Sequence, residues 1–146
     1  MAADPIDPVE HIYRAMEEEN GLPRLGASAT TLGVRRGKDI VPDGANMVHR
    51  PAFLPNQPNG ISCAPNIASL PRFALPVTWG GLNKRTVAWC LDKADLGAEL
   101  VAQEDTAPGN RGHVSIGPGQ SMSFDEYALA IRSTAAKWKI VSTPGA

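Results

Sequence analysis

The chain carries 13 prolines and 14 glycines, spread along its length rather than gathered in one linker. Proline inside a helix removes a hydrogen bond and clashes with the preceding turn, and glycine there loses the most backbone entropy. Helices must therefore be few and short, with many turns between brief strands. The expected class is a β-rich α+β domain with long irregular connections. With 146 residues, 42% apolar and 20% charged, the chain can bury one core and lacks the makeup of a disordered segment. A single domain over 1–146 is expected, with mobile tails at 1–8 and 142–146.

Charge narrows the partners. The formal net charge is -1 and no long basic run occurs, so neither nucleic acid nor an anionic membrane is an expected partner. No apolar run approaches the roughly 20 residues of a membrane span. The opening MAADPIDPVE is acidic and lacks the basic and apolar regions of a signal peptide. A cytoplasmic location follows, with export open only to a route that needs no such signal. Cys63 and Cys90 form no disulfide framework and match no zinc spacing, so buried free thiols are expected. His11, His49 and His113 lie far apart with no metal-ligand spacing, and no metal is expected.

Local signals place the elements. Asp7-Pro8-Val9-Glu10 offers an N-cap, a first-position proline and a third-position glutamate, which favours a helix, while the segment 11–15 also reads as a short strand. Gly21-Leu22-Pro23 ends either one, and 30–34 is a short β-prone stretch. From Val41 to Pro58 the chain is loop-like. Gly60 to Ala64 is a short strand, and Asn66 to Leu70 one helical turn. Thr86 to Leu91 is the best strand, apolar, aromatic and β-branched in a row as a buried strand requires. A turn follows over 92–97, then strands at 99–103 and 113–116. Ser123-Phe-Asp-Glu126 is a capping box, and Phe124, Tyr127, Ile131, Ala135 and Trp138 recur at helical spacing, so an amphipathic helix is expected over about 123–138.

Several chemistries are excluded by pattern. There is no G-x-G-x-x-G and no H-E-x-x-H. Gly33-x-x-x-Gly37-Lys38-Asp39 is one residue short of a phosphate loop and lacks the hydroxyl that would hold magnesium. Gly112 stands one position too early for Ser115 to form a nucleophile elbow with Gly117. Three polar residues on short strands remain as candidates: Arg14, Ser62 and His113. Each alone reads as an ordinary surface or strand-end residue, and a shared site needs all three at one cleft. Cys63 with His113 is a further nucleophile and base combination, provided the thiol lies in a basic, partly exposed setting.

The order of these pieces resembles a family of small bacterial proteins grouped with a type VI secretion effector toxin of ADP-ribosyltransferase-like fold. The resemblance rests on "IYRAM" at 12–16, "GLPRLGASATTLGVRRGKDI" at 21–40, "NGISCAP" at 59–65, "LPVTWGGLNKRTVAWCLDKADLGAEL" at 75–100 and "GHVSIGPGQSMSFDEYALAI" at 112–131. It implies that 11–15 is the first strand, with others near 61–64, 87–91, 99–103 and 113–117 in a split β-sandwich around a cleft. It also implies NAD in that cleft, with Arg14 as dinucleotide ligand, Ser62 as the hydroxyl strand residue and His113 on the late strand. The reaction of such enzymes passes through an oxocarbenium-like state that a carboxylate stabilises. Relatives carry that glutamate where this chain has Gly117, which leaves Glu99 and Glu104 as the nearby acids. The resemblance thus implies a toxin-like enzyme acting on NAD or another nucleotide, neutralised by a cognate immunity protein. The alternative is a protein of the same fold that binds a ligand or partner without turnover, with an exposed Trp79 as its anchor.

Overall fold

The structure, a computed structural model, describes residues 10–26, 33–34, 39–50, 60–104 and 113–142. The N-terminal cap signal at Asp7, the β-prone stretch before Gly33 and the tails expected at 1–8 and beyond 142 lie outside the described residues. What is described is mixed α+β, with antiparallel strands in curled sheets and one short C-terminal helix.

The first strand, β1, runs from His11 to Glu19. Its alternation places Ile12 and Met16 in the core, with Arg14 between them on the same side. Asn20 and Gly21, both at positive φ, then turn the chain into β2 (Leu22–Pro23). This is the two-residue hairpin connection that Asn-Gly favours, so Gly21-Leu22-Pro23 ends β1 by folding back on it. The two-residue strand β3 (Met47–Val48) lies in the segment expected to be loop throughout. It pairs with β8 (Met122–Ser123).

Strand β4 (Ile61–Cys63) is followed by a 3-10 turn at Ile67–Ser69 that Asn66 caps. Strand β5 (Thr86–Asp92) pairs with β1 from His11↔Asp92 to Glu17↔Thr86. Strand β6 (Leu100–Glu104) pairs with β7 (Val114–Pro118), which is buried along its whole length. The last strand, β9 (Lys139–Ile140), pairs with β5. Two main sheets result, ordered β2-β1-β5-β9 and β4-β7-β6. They meet at one isolated bridge, where Tyr13 and Ala64 exchange two backbone hydrogen bonds of 2.8 Å.

The capping box forms as expected. Glu126 N donates to Ser123 Oγ at 3.1 Å and Ser123 N to Glu126 Oε1 at 2.9 Å. The helix α1, however, covers only Phe124–Arg132, and the expected continuation to 138 becomes a 3-10 turn at Ala135–Lys137. Ser133 and Thr134 are the reason. Their hydroxyls donate to the carbonyls of Leu129 (2.8 Å) and Ile131 (2.6 Å), competing with the helical ladder. Trp138 still reaches the core, held by Nε1–H to Thr134 Oγ1 at 2.9 Å.

The main core lies between α1 and the inner faces of both sheets, around Trp89, Tyr127, Ile12 and Ile116. A smaller cluster on the other side of the bridge joins Ala64, Leu70 and Leu75. Trp79 packs against this cluster and is half-buried, so it is not the exposed anchor expected of it. Cys63 is buried, but Cys90 is only half-buried, which corrects the expectation of two buried thiols.

Candidate functional site

Sheet register assembles the polar residues that the sequence leaves far apart. Ser62 pairs with Ser115 across β4 and β7, and His113 stands two residues before Ser115. Side chains two apart on a strand share a face. Ser62 Oγ and His113 Nε2 accordingly lie 2.7 Å apart, within hydrogen-bond reach. Ser62 and His113 are both half-buried, so the pair is sheltered without being sealed.

Arg14 joins this pair through the backbone. One terminal guanidinium nitrogen donates to the carbonyl of Ser62, and the other to that of Gly33 at 3.4 Å. Gly33 has φ +83, and a Cβ there would come within 2.3 Å of the guanidinium, so glycine permits the approach. Tyr13 pairs with Ala64, so alternation turns Arg14 toward the core side of β4 and the Ser62 hydroxyl toward the opposite side. The three expected residues form one chain of contacts, with Arg14 gripping the strand from which Ser62 reaches His113. Among the described residues, Arg14 Nε is buried without a hydrogen-bond partner. A donor in that state carries a desolvation cost that an incoming acceptor relieves.

Two further residues belong to the same row. Gln103 pairs with Ser115 from the other side, so Ser62, Ser115 and Gln103 stand abreast on β4, β7 and β6. Ser115 is buried, and among the described residues Gln103 Oε1 is a buried acceptor without a partner. Ser115 enters the sequence analysis only as the serine of a rejected nucleophile elbow, and Gln103 joins through register alone.

The acids do not enter the row. Glu104 pairs with Val114, on the face opposite to Ser115, and Glu99 is exposed before β6. Gly117 pairs with Val101. The thiol expectation fails on geometry and on acidity. Cys63 pairs with Val114, so it faces the core and not His113. Burial pushes its thiol up to about 12 against a weak lowering by Arg14. It is a neutral core thiol, not a nucleophile.

Tyr127 fixes the spacing of β4 and β7. Its hydroxyl accepts from Ile61 N at 2.9 Å and donates to Ile116 O at 2.5 Å, bridging a paired position of the two strands. Burial holds its phenol well above the usual tyrosine range, so it stays a donor. Gly60, at φ +137, clears the space, because a Cβ there would fall 2.0 Å from Ile116 O and 2.7 Å from Tyr127 Oη. Elsewhere, a depression of about 300 Å³ lies between α1 and the turn before β6, lined in part by Asp95, Glu99, Ser133 and Lys137. It shares no residue with the Ser62 row.

No protein-family model, no curated protein and no solved structure matches the chain. Among the described residues, no helix is long and apolar enough to cross a membrane.

Proposed function

We propose that the chain is a toxin-like effector of ADP-ribosyltransferase-like fold that takes NAD or another nucleotide at the Ser62–His113 pair in the bacterial cytoplasm. The observation that carries this reading is the 2.7 Å contact between Ser62 Oγ and His113 Nε2 on a strand held by Arg14. A hydroxyl and an imidazole on neighbouring strands offer hydrogen bonds to ribose hydroxyls and amide groups. Arg14 contributes by holding the Ser62 strand through its carbonyl. Gln103 supplies an acceptor in the same row as Ser62. His113 acts as base or hydrogen-bond donor toward the ligand. A cognate immunity protein is the partner this reading calls for.

A second reading has its own support. The Ser62 row contains Ser115 and Gln103, and Gly117 stands where the family resemblance implies a glutamate, so that row brings no negative charge to an oxocarbenium ion. On this reading the protein binds a nucleotide or protein partner and does not turn NAD over.

The test is NAD binding by calorimetry, NAD consumption, and bacterial growth on induction, for the wild type, Ser62→Ala and His113→Ala. The effector reading expects growth arrest and NAD loss in the wild type and relief in His113→Ala. Binding lost in both variants, with no consumption by any protein, selects the second reading. Equal NAD affinity in all three proteins sinks the site.

A further inference from the structure

We propose that His11, Cys90 and Asp92 form a binding site for one zinc-type divalent ion on the outer face of the β1–β5 pair. Linear spacing hides this set, because its members come from both ends of an 81-residue separation. Register reveals it. His11 pairs with Asp92 and Tyr13 with Cys90, so all four side chains stand on one face of two neighbouring strands. This is the face turned away from Arg14, Ile12 and Met16, and it draws its ligands from β1 and β5 rather than from the strands that carry Ser62, Ser115 and Gln103.

The geometry suits a small ion. The ligand atoms of His11, Cys90 and Asp92 all lie within 4.8 Å of one another. His11 Nδ1 and Asp92 Oδ1 are already 2.7 Å apart. Zinc bonds of about 2.0–2.3 Å place tetrahedral ligands roughly 3.2–3.6 Å from each other. The His11–Asp92 contact would open by about half an ångström and the sulfur would close by about an ångström or less, within the reach of side-chain rotation. The backbone beneath is fixed, since β1 and β5 pair along seven rungs and Lys93 N donates to Glu10 O at 2.8 Å just past the site.

The donor set selects the metal. One imidazole nitrogen, one thiolate sulfur and one carboxylate oxygen suit zinc or cobalt and not magnesium or calcium, which take oxygen ligands. The side chains of His11 and Asp92 are 53% and 47% exposed, so the fourth position opens to water or an outside ligand. The Cys90 proton leaves to solvent when the sulfur binds, one proton per ion. Burial and the Asp92 carboxylate hold that proton on, while Tyr13, which hydrogen-bonds Cys90, and Lys139, its partner on β9, favour its loss. A lone His–Asp surface pair needs no metal to explain it, and the half-buried thiol within reach of both is what distinguishes this cluster.

The test uses the full chain without an affinity tag, freed of metal by a chelator. It is titrated with Co(II), followed by Zn(II). One equivalent of cobalt should give the visible bands of a low-symmetry site and a thiolate-to-cobalt charge-transfer band in the near ultraviolet. Zinc should displace it and release one proton. Cys90→Ser should lose the charge-transfer band, and His11→Gln should weaken zinc at least tenfold, with both variants keeping the wild-type circular dichroism. Cys63→Ser should keep the band. Absence of the band in the wild type overturns the proposal, and so does a band that survives Cys90→Ser. Should Cys90→Ser fail to fold, alkylating Cys90 in the native protein before the titration decides the same point.

Discussion

The substitution Tyr127→Phe removes a single oxygen that ties the two site strands together. Tyr127 is 0% exposed and Ile61 and Ile116 are each 1% exposed, so water does not reach the gap left behind. The change strands a backbone N–H on Ile61 and a carbonyl on Ile116. Each unsatisfied buried group costs about 1–3 kcal/mol, and partial closure of the strands toward a direct bond recovers some of it. The expected loss is about 2–4 kcal/mol, a large fraction of the roughly 5–15 kcal/mol that holds a domain together. With a urea slope of about 2 kcal/mol per M, the midpoint falls by roughly 1–2 M at unchanged slope. The assay is urea unfolding followed by tryptophan fluorescence, since Trp89 and Trp138 are both in the core. A midpoint shift below about 0.3 M would refute the reasoning, because the strands would then be held without the hydroxyl.

Three other outcomes follow from the same coordinates. Gly60→Ala forces a Cβ to within 2.0 Å of the Ile116 carbonyl at φ +137, so a loss of about 3–5 kcal/mol is expected, read as unfolding at far lower urea than the wild type. At pH 8 a disulfide reagent should modify half-buried Cys90 quickly and buried Cys63 only as the protein unfolds, and equal rates would contradict the burial of Cys63. A rise of the Cys63 thiol from 9.0 to about 12 makes its contribution full below pH 9 and lost as pH climbs toward 12, because only the unfolded chain ionises there. That is worth about 4 kcal/mol by pH 12, and Cys63→Val should show a shallower alkaline decline in urea midpoint.

Legibility in the sequence followed the physics of each signal. Four strands were readable from short β-branched and apolar runs, most clearly Thr86–Asp92, whereas β1 was expected only through the family resemblance, against local signals at 7–10 that favoured a helix. The start of α1 was readable from a reciprocal cap. Its end was not, because Ser133 and Thr134 act through local hydroxyl bonds that hydrophobic spacing ignores. The strands β2, β3, β8 and β9 have two residues each, too few for any periodicity. Asn20-Gly21 did announce a hairpin, although the segment was read only as a stop. At the site, Ser62 and His113 were identified singly, but their contact depends on β4–β7 register. Register also hides Gln103 and brings His11 to Cys90 and Asp92, since it is a property of pairing between distant segments.

The bridge between Tyr13 and Ala64 has a consequence for how the chain reaches this state. Nearly every tie of β1 is distant: Ser62 lies 48 residues from Arg14, Met16 is 73 from Trp89, and His11 is 81 from Asp92. Among the described residues, the short hairpin to β2 is the local pairing of β1. A nine-residue helix gives little help as an early nucleus. Folding must then close long loops before most contacts repay the entropy, which places the protein among slow, high-contact-order folders. During synthesis β1 is complete long before β5 exists, and it waits with its β5 edge bare and its other edge covered by β2 at Glu18 and Glu19 alone. Aggregation in that interval, rather than instability of the finished fold, is the hazard for expression, and slower translation between residues 24 and 92 would lengthen it.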